Sequence, residues 1–307
     1  MNQVIKVSAQ EMKKLKENYH PFFLNKSVPY TEFVAKKNGT TITAYTSGKV
    51  MFQGANAEQE AARWTSSTVP TTKNTKTKKN VTTLPKNFAQ LSVIGSDEVG
   101  NGSYFGPLCV CAAYVDRAHL ALLKELGVRD SKELKDSQII SIAKNIREVI
   151  PYQLLVVPPK KYNAIQPTYN AVRMKVALHN QAIQLLLKQI APKKPEGILI
   201  DQFTPEVNYK KYVRLEKEPV QEKIFFITKG EHYHLAVAAA SIISRASFLE
   251  ELDKASNELG IPVPSGAGAK SDHVAAKILQ RGGIDLLNQY AKLHFANTEK
   301  AKRIAGL

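Results

Sequence analysis

Three apolar runs in this sequence end on acid. Leu91-Ser-Val-Ile-Gly-Ser leads directly into Asp97 and Glu98, Gly197-Ile-Leu-Ile ends on Asp201, and Ile224-Phe-Phe-Ile-Thr leads through Lys229-Gly230 to Glu231. Short apolar runs of this kind predict buried strands, and open sheets place their sites at the carboxyl ends of strands. Ionised carboxylates are costly to bury unless paired or bound to metal. Acids that converge with no arginine among them repel one another, and hard divalent cations relieve that repulsion through oxygen ligands. Two such ions about 4 Å apart activate water and stabilise a leaving oxygen in phosphodiester hydrolysis. The competing reading is that strand ends simply reach the surface, where acids are common. Asp97 and Glu98 add a geometric condition. Neighbours on a regular strand face opposite ways, so sharing one site requires a bend there, which Gly95 and Gly100 allow.

The elements that must carry these acids follow from periodicity. Strands are predicted at 91–97, 107–115, 152–157, 197–201 and 223–228, and helices at 131–149, 171–190, 235–258 and 272–281, with another after 284. Strands separated by helices or long loops predict an α/β fold with a mixed sheet and flanking helices over residues 87–307. Residues 1–70 predict a small α+β domain. A strand at 4–7 precedes Ser8 and Glu11, which stand in capping-box spacing before a helix to about Tyr19. Residues 32–54 predict a meander with turns at Asn38-Gly39 and Thr46-Ser47-Gly48, and Asn56 with Gln59 opens a closing helix through Trp64. No catalytic group stands out in this segment, and a meander covered on one face is suited to binding on the other. Residues 71–86 hold five lysines, no acid and hardly an apolar residue, which predicts a basic linker.

Charge narrows the class of partner. The 307 residues hold 43 Lys and Arg against 27 Asp and Glu, a formal net charge of +16. A soluble chain this basic most often meets a polyanion, and nucleic acid leads that group; a basic housekeeping protein is the plainer alternative. No stretch approaches the roughly 18–20 apolar residues of a membrane span, and the start lacks the layout of a secretory signal. Two cysteines make neither a disulfide framework nor a cysteine-rich zinc site. A reduced, cytoplasmic protein is the expectation.

Residues 94–108, Ile-Gly-Ser-Asp-Glu-Val-Gly-Asn-Gly-Ser-Tyr-Phe-Gly-Pro-Leu, resemble the opening Asp-Glu-(Ala/Val)-Gly motif of the type 2 ribonucleases H. The similarity continues through Asp130-Ser131-Lys132, Ile200-Asp201, Lys229-Gly230-Glu231 and residues 238–243, and spans nearly all of 91–250 in the family's order. Within that group the chain resembles ribonuclease HIII rather than HII: Asn101 stands where HII carries arginine, the fourth acid is Glu231 rather than Asp, and residues 1–70 match an extension that HII lacks. Residues 293–298 are similar to HIII as well. The resemblance implies an RNase H-like fold with a TBP-like N-terminal substrate-binding domain. It implies an endonuclease that cuts the RNA strand of RNA/DNA hybrids with Mg²⁺ or Mn²⁺ and leaves 5′-phosphate and 3′-hydroxyl ends. Asp97, Glu98, Asp201 and Glu231 match the family's four metal-binding acids. Gly100, Asn101 and Gly102 match the turn that reads ribose 2′-hydroxyls, and Lys132 matches a phosphate contact. No protein partner is implied, and a monomer suffices.

Several other patterns point elsewhere and are weaker. Residues 266–271 lack the glycine that a phosphate-binding loop needs before its lysine, so a substrate-contacting loop is the better reading. Cys109 and Cys111 read as core residues. His232 and His234 lack a third nitrogen or sulfur ligand at zinc spacing. Ser241 and Ser244 read as helix packing, and Glu250 and Glu251 as a solvated helix face. Two rival functions remain at this stage: an HII-like enzyme that incises at single ribonucleotides in DNA, and a non-catalytic nucleic-acid-binding protein.

Overall fold

Local signals build the first of two units. The computed structural model describes residues 2–25, 31–65 and 84–307, and the chain divides into compact units at Met1–Val81 and Thr82–Leu307. Most of the expected linker, residues 71–83, lies outside the described residues. In the first unit β1 (Asn2–Lys6), β2 (Thr31–Lys37), β3 (Thr40–Tyr45) and β4 (Lys49–Gly54) form an antiparallel sheet in the order β1-β4-β3-β2. Asn38 and Gly39 both take positive φ in the tight turn between β2 and β3. Ahead of α1 (Ala9–Tyr19), Ser8 Oγ accepts from the Glu11 amide and the Glu11 carboxylate accepts from the Ser8 amide, completing the capping box. Helix α1 and α2 (Ala57–Thr65) close over Phe33, Ile42 and Phe52 on one face. Trp64 Nε1 donates to Tyr19 Oη, which donates to the buried Glu60 carboxylate. Strand alternation turns Lys6, Lys36 and Lys49 toward the opposite face, where Lys6 pairs with Lys49 and Lys36 with Thr41.

The second unit is a five-stranded mixed sheet between helices. Its strands are β5 (Val93–Val99), β6 (Leu108–Val115), β7 (Tyr152–Val157), β8 (Gly197–Asp201) and β9 (Ile224–Ile227), in the order β7-β6-β5-β8-β9. Strands β5, β6 and β7 run antiparallel in turn, whereas β8 and β9 lie parallel to β5. The helices are α3 (His119–Glu125), α4 (Asp136–Val149), α5 (Pro159–Ile165), α6 (Ala171–Ile190), α7 (Glu206–Val213), α8 (Leu235–Leu259), α9 (Ala269–Tyr290) and α10 (Asn297–Ala305). Helix α8, backed by α4, covers one face through Val93, Cys111, Leu199 and Phe225. Helices α6 and α7 cover the other through Ile94, Ala112, Ile198 and Ile200. Helix α9 is broken at Gly282 and Gly283, and α10, which the sequence pattern did not predict, packs with it over Tyr104, Phe248 and Leu279. Among the described residues no helix is long and apolar enough to cross a membrane.

Strand β5 and helix α8 approach one another closely. Gly95 lies against the Ala236–Val237 peptide so tightly that a Cβ would overlap backbone. Ala236, Ala238, Ala239 and Ala240 are all fully buried at this start of α8. Small residues on both sides let the helix axis sit low over the strand. Gly95→Ala is therefore expected to destabilise the protein by about 3 kcal/mol through overpacking. Denaturant unfolding checks it; a variant as stable as the parent would mean that the contact is not tight.

Candidate active site

Parallel strands bring their acids to one edge. β5 delivers Asp97 and Glu98, β8 delivers Asp201, and past β9 the chain turns through Lys229, in the left-handed region, into a short helical turn carrying Glu231. Asp201 Oδ1 accepts from the Gly230 amide at 3.0 Å, which ties the end of β8 to the Glu231 turn.

The expected bend between Asp97 and Glu98 is not there. β5 stays in register with β6 through Glu98↔Val110 and Val99↔Cys109, because the β6 ladder pairs it to its end. The two acids therefore point to opposite faces of the sheet. On the α8 side, Asp97 accepts from Ser241 and from the Glu98 amide (2.7 Å), and Ser131 Oγ sits 2.9 Å from Ser241 Oγ. Ser244 Oγ donates to the Asp97 carbonyl at 3.4 Å. The low seat of α8 on Gly95 thus brings Ser241 to the Asp97 carboxyl, beyond the packing role read from the sequence, while Ser244 is buried and meets only backbone there. On the α6 side, Glu98 meets Lys175 and His179.

Although Asp97 and Glu98 leave the strand on two faces, the bend is not a condition for one site: at the end of β5 the Glu98 charge reaches both Asp97 and Asp201. Burial pushes the Asp97 carboxyl well above its ordinary range, Glu98 and Asp201 push the same way, and hydrogen bonds from Ser241 and the Glu98 amide do not offset them. Asp201 is raised as well, first by burial and then, against the Gly230 hydrogen bond, by Glu231 and Glu98. Glu98 is the exception: burial pushes it up, but the hydrogen bonds and charges of His179 and Lys175 outweigh burial and hold it below the usual range. No arginine is needed for this, because lysines and a histidine serve. Glu231, only 5% exposed at its side chain, accepts from Lys132 Nζ at 3.0 Å, and that hydrogen bond raises the Lys132 pKa. Lys132 itself is 73% exposed, so it stands at the mouth of the site.

The neighbouring candidates fall into place around this edge. Gly100 takes φ +98 directly after β5 with Pro107 backbone against it, while Asn101 and Gly102 are exposed with open space beyond Gly102. The Gly266 segment is a brace: its amide donates to Ser103 Oγ and its carbonyl accepts from the Tyr104 amide. His234 Nε2 lies 3.0 Å from the Leu91 carbonyl and its Nδ1 caps α8, and burial lowers its pKa to about 4. His232 differs: one nitrogen of it and one oxygen each from Asp130 and Glu231 lie within 4.8 Å of one another, a grouping that sequence spacing did not reveal. Both cysteines are buried with their thiols pushed up by burial, Cys109 to about 12.

This donor set fits a hard divalent cation. Asp97, Glu98, Asp201 and Glu231 offer only oxygen, and the raised pKa values of Asp97 and Asp201 show negative charge held at a cost that a bound cation removes.

Comparison with known proteins settles the family. A family profile described as Ribonuclease HII matches residues 94–298, and one described as a domain of unknown function matches residues 2–79. The chain is 68% identical to the Ribonuclease HIII of Enterococcus faecalis over 99% of each chain. It belongs to the ribonuclease HIII family. It is also 49% identical to the Ribonuclease HIII of Listeria monocytogenes over 99% of this chain and 98% of that one. The crystal structure of Bst-RNase HIII in complex with Mn²⁺ matches it with a TM-score of 0.70 at 40% identity, covering 99% of each chain. As a ribonuclease HIII the chain is a metal-dependent endonuclease that hydrolyses the RNA strand of RNA/DNA hybrids, with Mg²⁺ or Mn²⁺ as its cation.

The electrostatics of the metal-free protein give a stability prediction. A carboxyl whose pKa is raised on folding favours the folded state when protonated, and that stability is lost as pH rises through the folded value. In chelator, Asp97→Asn is therefore expected to melt at higher temperature than the parent at neutral pH, with the difference shrinking toward acid pH. Thermal melts across pH check this; a variant less stable at neutral pH would contradict the charge account.

Proposed function

We propose that Asp97, Glu98, Asp201 and Glu231 are the catalytic acids of this ribonuclease HIII and the ligands of its divalent cation. The observation that carries this reading is the convergence of four acids from three parallel strand ends, two of them held above their ordinary pKa by burial and by one another. When bound, the cation supplies charge stabilisation at the scissile phosphate and makes water a better nucleophile. The chain's own groups prepare the site for it. Ser241 and the Glu98 amide orient Asp97, the Gly230 amide orients Asp201, and Lys132 keeps Glu231 compensated until the substrate arrives.

Substrate contacts are assigned from position. In the turn at Gly100, Asn101 and Gly102 beside Asp97 and Glu98, Gly100 is half-buried and the next two residues are exposed, so that backbone groups free of bulky side chains can approach a ribose 2′-hydroxyl. Asn101 in place of arginine favours a continuous hybrid over a single ribonucleotide in DNA. Lys132 offers its exposed ammonium to a phosphate, and hydrolysis leaves 5′-phosphate and 3′-hydroxyl ends. Residues 1–70, through the open sheet face bearing Lys6, Lys36 and Lys49, hold the duplex, and residues 87–307 cut it. The net charge of +16 suits long-range attraction to that polyanion. The enzyme acts as a cytoplasmic monomer.

Asp201→Asn is expected to abolish cleavage while leaving hybrid affinity in chelator unchanged; full activity would overturn the assignment. Lys132→Ala should weaken hybrid binding and lower the slope of log affinity against log salt by about one. An unchanged slope would remove the phosphate contact. Deleting residues 1–70 should raise the KM for hybrid far more than it lowers kcat, and an unchanged KM would remove the duplex-holding role.

A further inference from the structure

Glu98 is gripped at both oxygens from the α6 side. Lys175 Nζ donates to Oε1 at 2.8 Å, and His179 Nε2 lies 3.0 Å from Oε2. The two residues are four apart on α6, so they sit side by side on one stripe of the helix. Both are buried, at 5% and 0% exposure. Behind them, His179 Nδ1 lies 2.7 Å from Ser96 Oγ, and Ser96 Oγ donates to the Cys111 carbonyl at 2.9 Å. The Phe203 ring stacks on His179 at 4.9 Å and lies 4.2 Å from Lys175 Nζ.

Hydrogen-bond accounting gives this chain a direction. The Ser96 hydroxyl has one proton and spends it on Cys111, so it accepts from His179 Nδ1–H. The Glu98 carboxylate can also only accept, so both ring nitrogens carry a proton, Nδ1–H donating to Ser96 and Nε2–H to Glu98, which fixes the ring. Each Glu98 oxygen then has one hydrogen bond and one lone pair free. A buried ammonium beside a carboxylate is a poor way to hold a helix onto a sheet, since apolar residues of like size serve as well or better. Aiming a carboxylate is something apolar residues cannot do.

We infer that Lys175 and His179 are positioning residues that fix the Glu98 carboxylate, through the chain Cys111–Ser96–His179, in the orientation hydrolysis requires. The inference rests on the assignment of Glu98 to the cation-binding acids. Preset ligands need no reorganisation when the hybrid binds, so the gain falls on turnover rather than on substrate affinity.

The test uses the full chain as Lys175→Met, His179→Leu and His179→Gln, with Glu98→Gln as reference. Lys175→Met and His179→Leu should lower kcat on a continuous hybrid about 10–100-fold at saturating Mg²⁺. Hybrid affinity in chelator should stay within about twofold, as for a group acting only in turnover. His179→Gln, whose amide still donates to Glu98, should recover most of the loss. In the crystal structure of chelated His179→Leu, the Glu98 carboxylate should leave its parental orientation. Parental kcat in Lys175→Met or His179→Leu, an unmoved Glu98 carboxylate, or equal losses in His179→Leu and His179→Gln that track melting temperature would each overturn the inference. The reference separates the two readings. Full activity in Glu98→Gln removes Glu98 from the cation set itself, whereas an inactive Glu98→Gln beside a fully active Lys175→Met defeats the positioning role alone.

Discussion

Negative charge buried at the edge of a sheet is the constraint around which the second unit is organised. Asp97 lies under α8, pushed toward its protonated form by burial and by the fields of Glu98 and Asp201. Folding into that state is unfavourable for the acid, and the surroundings show how the chain tolerates it. Gly95 and the alanines of α8 bring helix and strand close enough for Ser241 to reach the carboxylate. The Gly230 amide serves Asp201, and lysines serve Glu231 and Glu98. What remains uncompensated is concentrated on Asp97 and Asp201, where a divalent cation gains most by binding. Stability given up at those two acids becomes affinity for the ion.

Unequal compensation also divides the labour among the acids. Glu98 is enclosed by buried groups on the α6 face, whereas Glu231 is met by a lysine that is mostly in solvent. The first pairing is rigid and the second is exchangeable. Such an arrangement holds one side of the site constant and leaves the other free to respond to a phosphate arriving at the Lys132 side. The turn at residues 100–102 lies next to the rigid side, directly after β5.

Much of this was legible in the sequence, for identifiable reasons. Strands β7 and β8 and helix α6 fall where apolar period and flanking turns place them, and the Ser8–Glu11 capping box is present as read. The acids stood out because each follows an apolar run, and topology then brought them to one edge. Other features were not legible. Lys175 and His179 lie on a helix whose polar and apolar positions look ordinary, and only the register of α6 against β5 shows that they face Glu98. The bend anticipated at Asp97–Glu98 is absent because β6 keeps pairing, which depends on a partner strand that the local sequence does not contain. Helix α10 was missed because its stretch, Asn297–Ala305, is mostly polar and is held by packing with α9 rather than by an apolar period of its own. The Asp130–Glu231–His232 grouping likewise joins segments about a hundred residues apart.

The central claim is that cation binding follows from the four converging acids. The most direct measurement is anomalous scattering at the manganese edge from crystals of the full chain grown with Mn²⁺. The account predicts a peak among the carboxylates of Asp97, Glu98, Asp201 and Glu231 that disappears in Asp97→Asn. A peak confined to Asp130, Glu231 and His232, and unchanged in Asp97→Asn, would contradict it.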